Sequence, residues 1–147
     1  MRLEKAAIIV ILTVLAWTVP AAASGQDFKI VVNEANPSET ISKQQLENIF
    51  MKKAGTWSNG QPALPVDQSA SSSTRYGFSM VIFGRDVNAI KSYWQRQIFS
   101  GRGVPPPEKA SEEKVLAFVR ANPGAIGYVS SDTAVGSGIK VLDIAWE

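Results

Sequence analysis

In the stretch VDQSASSSTRYGF, from Val66 to Phe78, Ser71, Ser72, Ser73 and Thr74 form an unbroken run of hydroxyls with Arg75 directly behind it. Five of the six positions from Ser69 to Thr74 are Ser or Thr. Hydroxyls are compact donors, and a guanidinium adds a charged, planar fork of them. Where such a run opens a helix, the first backbone N–H groups have no intrahelical acceptor and carry the positive end of the helix dipole. Together these groups make a cradle for a compact oxyanion. The candidate ligand set is therefore Gln68, Ser71, Ser72, Ser73, Thr74 and Arg75. An equally economical use of the same residues is structural. One serine caps the helix, the others are solvated, and Arg75 pairs with Asp67.

Other chemistries have little to work with. The chain contains no histidine and no cysteine, which removes the usual zinc and copper sites and the common nucleophile–base pairs. Its carboxylates are scattered. The closest pair, Glu112-Glu113, reads as the first turn of a helix, where negative charge is favoured. A non-catalytic protein with no metal and no cofactor is expected. The four tryptophans do not alternate with basic residues, so no nucleic-acid partner is expected. Core or rim packing accounts for Trp57, Trp94 and Trp146.

The elements that must position the serine run follow from periodicity. DFKIVVNEANP reads as a strand stopped by Asn36-Pro37. Ser42 caps a helix from Lys43 to about Lys53 with Leu46, Ile49 and Phe50 on one face. ALPV is a short apolar segment that Pro65 limits to an edge position or a brief strand. After the serines, Tyr76 to Phe83 reads as a buried helix ending at Gly84. Asp86 caps the next, with Val87, Ile90, Trp94 and Ile98 at helical spacing. SGRGVPPP forms a stiff connection, and Ser111 opens a helix that Asn122-Pro123-Gly124 terminates. AIGYVS and IKVLDI are two more strands. This order of strands and helices predicts an α/β domain with a small central sheet under packed helices.

Arg2 and Lys5 precede an apolar run, Ala6 to Val19, then Pro20 and the small residues Ala21 to Ser24. That order is the pattern of a secretory signal peptide over 1–23, cleaved after Ala23, with Ser24 as the rival site. A retained membrane anchor is the other reading of the same run. Residues 24–147 then form a single domain of about 120 residues, enough for a modest core. Removing Arg2, Glu4 and Lys5 leaves 13 basic and 12 acidic residues, a nearly neutral chain. An exported protein without disulfides suits the periplasm.

Two further stretches carry a family resemblance. LENIFMKKAGTWSNG, Leu46 to Gly60, resembles the helix-and-loop segment of phosphate ABC transporter substrate-binding proteins. NPGAIGYV, Asn122 to Val129, is similar to their late PGAIGYV segment. The likeness runs from Phe28 to Val141. Where that family carries an Arg-x-Asp-Gly-Ser-Gly-Thr phosphate loop, its Ser and Thr fall on Ser72 and Thr74 and its two glycines on Ser71 and Ser73. Its arginine falls on Gln68 and its aspartate on Ala70, so the nearest guanidinium, Arg75, follows the loop. Family members have two lobes with phosphate between them, and this chain resembles only the second. FSGRGVPPP is also at home in the small one-lobed proteins that share the family's name. The resemblance implies a single periplasmic-binding-protein-like lobe that binds phosphate or a similar oxyanion. It also implies a membrane permease or sensor as partner. A lobe that has lost its ligand and docks an envelope or membrane partner is the alternative.

Overall fold

The computed structural model describes residues 26–146. The expected signal segment, 1–23, lies outside the described residues. The order of elements is β1 (Phe28–Asn33), β2 (Thr40–Ser42), α1 (Lys43–Phe50), β3 (Leu64–Pro65), β4 (Asp67–Gln68) and α2 (Ser73–Phe78). A π-helical turn, Ser79–Phe83, continues α2; then come α3 (Val87–Phe99), β5 (Glu108–Lys109), α4 (Glu112–Ala121), β6 (Ala125–Ser130) and β7 (Ile139–Ala145).

The main sheet has the order β2-β7-β1-β6-β3. β1 lies at its centre, antiparallel to both β6 and β7, while β2 and β3 add in parallel at the two edges. Pro65 sits on the edge strand, where a missing N–H costs no ladder bond. Both faces of the sheet are covered, so β1 is apolar almost throughout instead of alternating with polar residues. Its Phe28, Ile30 and Val32 join Ile126, Tyr128 and Leu142 on one face, against Leu46, Ile49 and Phe50 of α1 and Phe78 and Ile82 behind the serine run. Val31, Ala125 and Val129 point to the other face, against Val115, Leu116 and Val119 of α4. Each such side chain contributes about 1.5–3 kcal/mol when fully removed from water. Met51, Ile90 and Trp94 form a smaller cluster that seats α3.

The two glycines of PGAIGYV are required by close approach. A Cβ on Gly124 would lie 2.0 Å from the carbonyl oxygen of Pro62. One on Gly127 would lie 2.8 Å from Val115 and 2.9 Å from Val66, beneath α4. Trp57 of the earlier segment is buried beside them and donates from Nε1 to the Gly124 carbonyl at 2.9 Å. The two stretches quoted above therefore meet in space.

Several expected boundaries move. α1 stops at Phe50, three residues short, because Lys52 turns into the left-handed region with φ 56°. The helix expected from Tyr76 begins at Ser73, since Ser72 already caps it, and its last turn is π-helical before Gly84 at φ 63°. Ile98, placed on the buried face of α3 by its spacing, is 52 % exposed because the helix runs past the body it packs on. β2, β4 and β5 are two or three residues long and leave no periodic signal. The tryptophans divide. Trp57 and Trp94 are buried, and Trp146 is half-exposed at the end of β7.

Candidate functional site

The serine run lies between β4 and α2, and a frame of buried polar groups fixes both ends of it. β4 pairs in parallel with β5, matching Asp67 to Glu108 and Gln68 to Lys109. The Ser69 amide extends the ladder to the Lys109 carbonyl at 3.1 Å. Asp67, Gln68 and Arg75 are all buried, an arrangement sustainable only if their polar atoms find partners. They do. Arg75 donates from Nη1 to the Gln68 carbonyl and to Glu108, each at 2.7 Å, and its Nε stands 3.4 Å from Asp67. The Tyr128 hydroxyl donates to the Asp67 carboxylate, and the Gln68 amide donates to the same carboxylate oxygen at 2.9 Å. Gln68 donates from its side chain to the Tyr128 carbonyl at 2.8 Å and accepts from the Ser72 hydroxyl at 2.6 Å. The Tyr128 ring stacks on Phe78 with centroids 3.9 Å apart, which ties the frame to the core.

Burial sets the protonation of this frame. It pushes the Asp67 carboxyl up, with Arg75 and the Tyr128 hydroxyl opposing that shift. Burial and the neighbouring Asp67 charge push the Tyr128 phenol well above its ordinary value. For Arg75 burial works against the charge, but Asp67 and Glu108 outweigh it and hold the guanidinium protonated.

Above the frame the chain turns from Ser69 to Ser72, closed by the Ser72 amide donating to the Ser69 carbonyl at 2.9 Å. Ser72 is the N-cap of α2. Its hydroxyl accepts from the Arg75 amide at 3.1 Å, so it serves helix and frame at once. Ser69 and Ser71 share a hydroxyl–hydroxyl bond of 3.1 Å. The Thr74 hydroxyl donates to Glu112 at 3.1 Å. Glu112, the first residue of α4, also accepts from the Ser130 amide at 2.7 Å and from the Thr133 hydroxyl. Burial raises the Glu112 carboxyl, but the donors from Thr133, Ser130 and Thr74 outweigh it and hold the carboxyl below its ordinary range.

Ser73 differs from its neighbours. Its side chain is exposed, and neither its amide nor that of Thr74 has an acceptor among the described residues. Ser73 lies between two open cavities. One, of about 340 Å³, is bounded by Ser71, Ser72, Tyr76 and Asp86; the other, of about 280 Å³, by Thr74, Asp27, Ser130 and Asp132. The structure thus gathers all six expected residues within one turn but in two settings. Gln68, Ser72 and Arg75 are committed to the frame, whereas Ser71 and Ser73 are exposed and the Thr74 amide has no acceptor among the described residues. Asp67, Glu108, Glu112 and Tyr128 belong to the site and were not among the expected ligand residues. Tyr128 carried a signal. A tyrosine inside a wholly apolar strand must find a partner for its hydroxyl.

Residues 16–144 match the family model of the PBP superfamily domain. The chain belongs to the PBP superfamily. This PBP domain is similar in fold to an ABC-type phosphate transport receptor from Vibrio cholerae, with a TM-score of 0.63 at 23 % identity, covering 80 % of this chain and 46 % of that one. A putative phosphate ABC transporter substrate-binding protein with bound phosphate from Clostridium perfringens gives 0.64 at 17 % identity, over 80 % of this chain and 44 % of that one. A possible phosphate binding protein from Planctomyces limnophilus gives 0.61 at 19 %, over 81 % and 41 %. The chain spans less than half the length of each of these structures. No curated protein sequence matches it.

Proposed function

We propose that this PBP domain is a non-catalytic binding protein, exported to the periplasm, that holds phosphate or a similar oxyanion at the turn Gln68–Arg75. On this reading the chain is a single lobe that works beside an ABC-type uptake or sensing system, with a membrane permease or sensor as partner. The observation that carries the proposal is Ser73. An exposed hydroxyl and two successive amides with no acceptor among the described residues, its own and that of Thr74, stand together at the start of a helix, in a fold shared with a putative substrate-binding protein that has phosphate bound. Ser71 adds a second exposed hydroxyl. Gln68, Ser72 and Arg75 shape the turn from below.

The proposed cradle is made of neutral donors. Arg75 is engaged with Asp67 and Glu108, while Asp27 and Asp132 stand at the rim. Hydrogen bonds of this kind, open to water, contribute about 0.5–1.5 kcal/mol each. Four such donors reach about 6 kcal/mol at most, so binding is weaker than micromolar and falls toward the millimolar range. The test is to melt the protein in rising phosphate and, separately, rising sulfate. A ligand at a hundredfold excess over its Kd adds about 2.7 kcal/mol, a readable shift. A melting temperature indifferent to both anions, with no heat on calorimetric titration, would remove the proposal.

A further inference from the structure

α3 buries Val87, Ile90 and Trp94, packs Tyr93 half-buried beside them, and leaves its opposite face exposed among the described residues. Ser92, Gln95, Arg96 and Phe99 follow one another at helical spacing on that surface, with Lys91 and Ile98 beside them. Phe99 is 97 % exposed, and it belongs to none of the three core clusters. A phenylalanine standing almost wholly in water contributes nothing to the fold that a polar residue would not.

The charge along this stretch of chain has one sign. From Val87 to Pro107 the chain carries Lys91, Arg96 and Arg102 and no acidic residue, although the domain as a whole is nearly neutral. None of these three cations forms an ion pair among the described residues. The end of the helix is closed by backbone bonds. Gly101, at φ 68°, donates to the Ile98 carbonyl at 3.1 Å, and the Arg102 amide donates to the Gln97 carbonyl at 2.9 Å. This double closure ends the helix and holds Arg102 against it. Ser100 adds a hydroxyl bond to the Arg96 carbonyl at 2.8 Å.

Two copies meeting through this face would press like charges together, so a second copy is a poor occupant. An anionic lipid surface asks for cations and apolar reach, with no complementary shape. We infer that the C-terminal end of α3 is a docking tip for an anionic phospholipid surface. Phe99 and Ile98 enter the boundary between headgroups and acyl chains, and Lys91, Arg96 and Arg102 lie against the lipid phosphates. The contact is reversible and weakens with salt. It is independent of the oxyanion reading.

The absence of native cysteine allows a unique thiol to be introduced. In the full chain, Gln95→Cys carries an environment-sensitive fluorophore on the proposed face, and Glu113→Cys carries it on α4. Reading the label, instead of bulk sedimentation, isolates this face from anything the N-terminal segment does. Vesicles of phosphatidylcholine with phosphatidylglycerol should blue-shift the label at 95 and leave that at 113 unchanged. Phosphatidylcholine alone should do neither. Arg96→Gln and Arg102→Gln should each weaken the response about fivefold. Phe99→Ser should abolish it with no change in melting temperature. The inference is overturned by a silent label at 95, by an equal shift on phosphatidylcholine alone, or by a shift that survives Phe99→Ser. A shift that follows protein concentration without lipid would overturn it in favour of self-association.

Discussion

The frame beneath the serine turn and the rim above it are a few residues apart and obey opposite rules. Below, Asp67, Gln68, Arg75 and Tyr128 are buried, and the described geometry gives each of their side chains a partner. Above, Ser73 and the amides at the start of α2 are left open. The Arg75 guanidinium is engaged in architecture and the neutral donors are available. A guanidinium beside a row of serines looks from the sequence like a ligand clamp. Its burial turns it into the post on which the row is mounted. The contrast predicts that substitutions in the frame act on folding and substitutions at the rim act on binding.

The largest effect should come from Arg75→Ala. It leaves Asp67 buried beside no cation, and breaking a buried pair in this way costs about 3–5 kcal/mol. Chemical denaturation should show that loss. If the protein keeps its stability and loses only phosphate binding, frame and rim have been assigned the wrong way round. Tyr128→Phe keeps the stack on Phe78 but removes the hydroxyl that serves Asp67, for a cost of about 1–3 kcal/mol. Ser72→Ala comes next. Losing the cap should cost about 1 kcal/mol, read as a lower melting temperature, while the exposed donors of Ser73 remain in place.

A pH effect sharpens the comparison from the side of Glu112, which joins α4 to Thr74, Ser130 and Thr133. Its carboxyl is held below the ordinary range in the folded protein. Its contribution is therefore complete above the ordinary glutamate value of about 4.3 and is lost as pH falls through the lowered native value. Glu112→Gln should melt earlier than the wild type near neutrality, and the difference should shrink in acid. A difference that is constant with pH would mean that the carboxylate's charge plays no part in holding Thr74.

The main layers of this fold were legible because they rest on local periodicity. β1, β6, β7 and α4 fall where alternation and helical spacing put them, and Ser42, Asp86 and Ser111 cap the helices they were expected to cap. The short pair β4–β5 was not legible, since two-residue strands separated by α2 and α3 leave no pattern. That pair determines what Arg75 does, because it brings Glu108 alongside Asp67. The residue types of the site could thus be read from Gln68 to Arg75, while their division into frame and rim depends on contacts far apart in sequence. Ser72 and Ser73 are adjacent hydroxyls with no local difference between them. Only the side chain of Gln68 and the turn of the helix make one a cap and leave the other free.

The smallest energetic effect is the most telling for function. Ser73→Ala should leave stability unchanged and weaken phosphate binding by about 0.5–1.5 kcal/mol, the worth of one neutral hydrogen bond. The most direct measurement follows the backbone amides themselves by nuclear magnetic resonance during a phosphate titration. The Ser73 and Thr74 amide signals should move most, saturating together between about micromolar and millimolar phosphate. The Arg75 guanidinium signals should keep their place in the frame. Saturable movement centred on the Arg75 side chain, with Ser73 and Thr74 unmoved, would contradict this division into frame and rim.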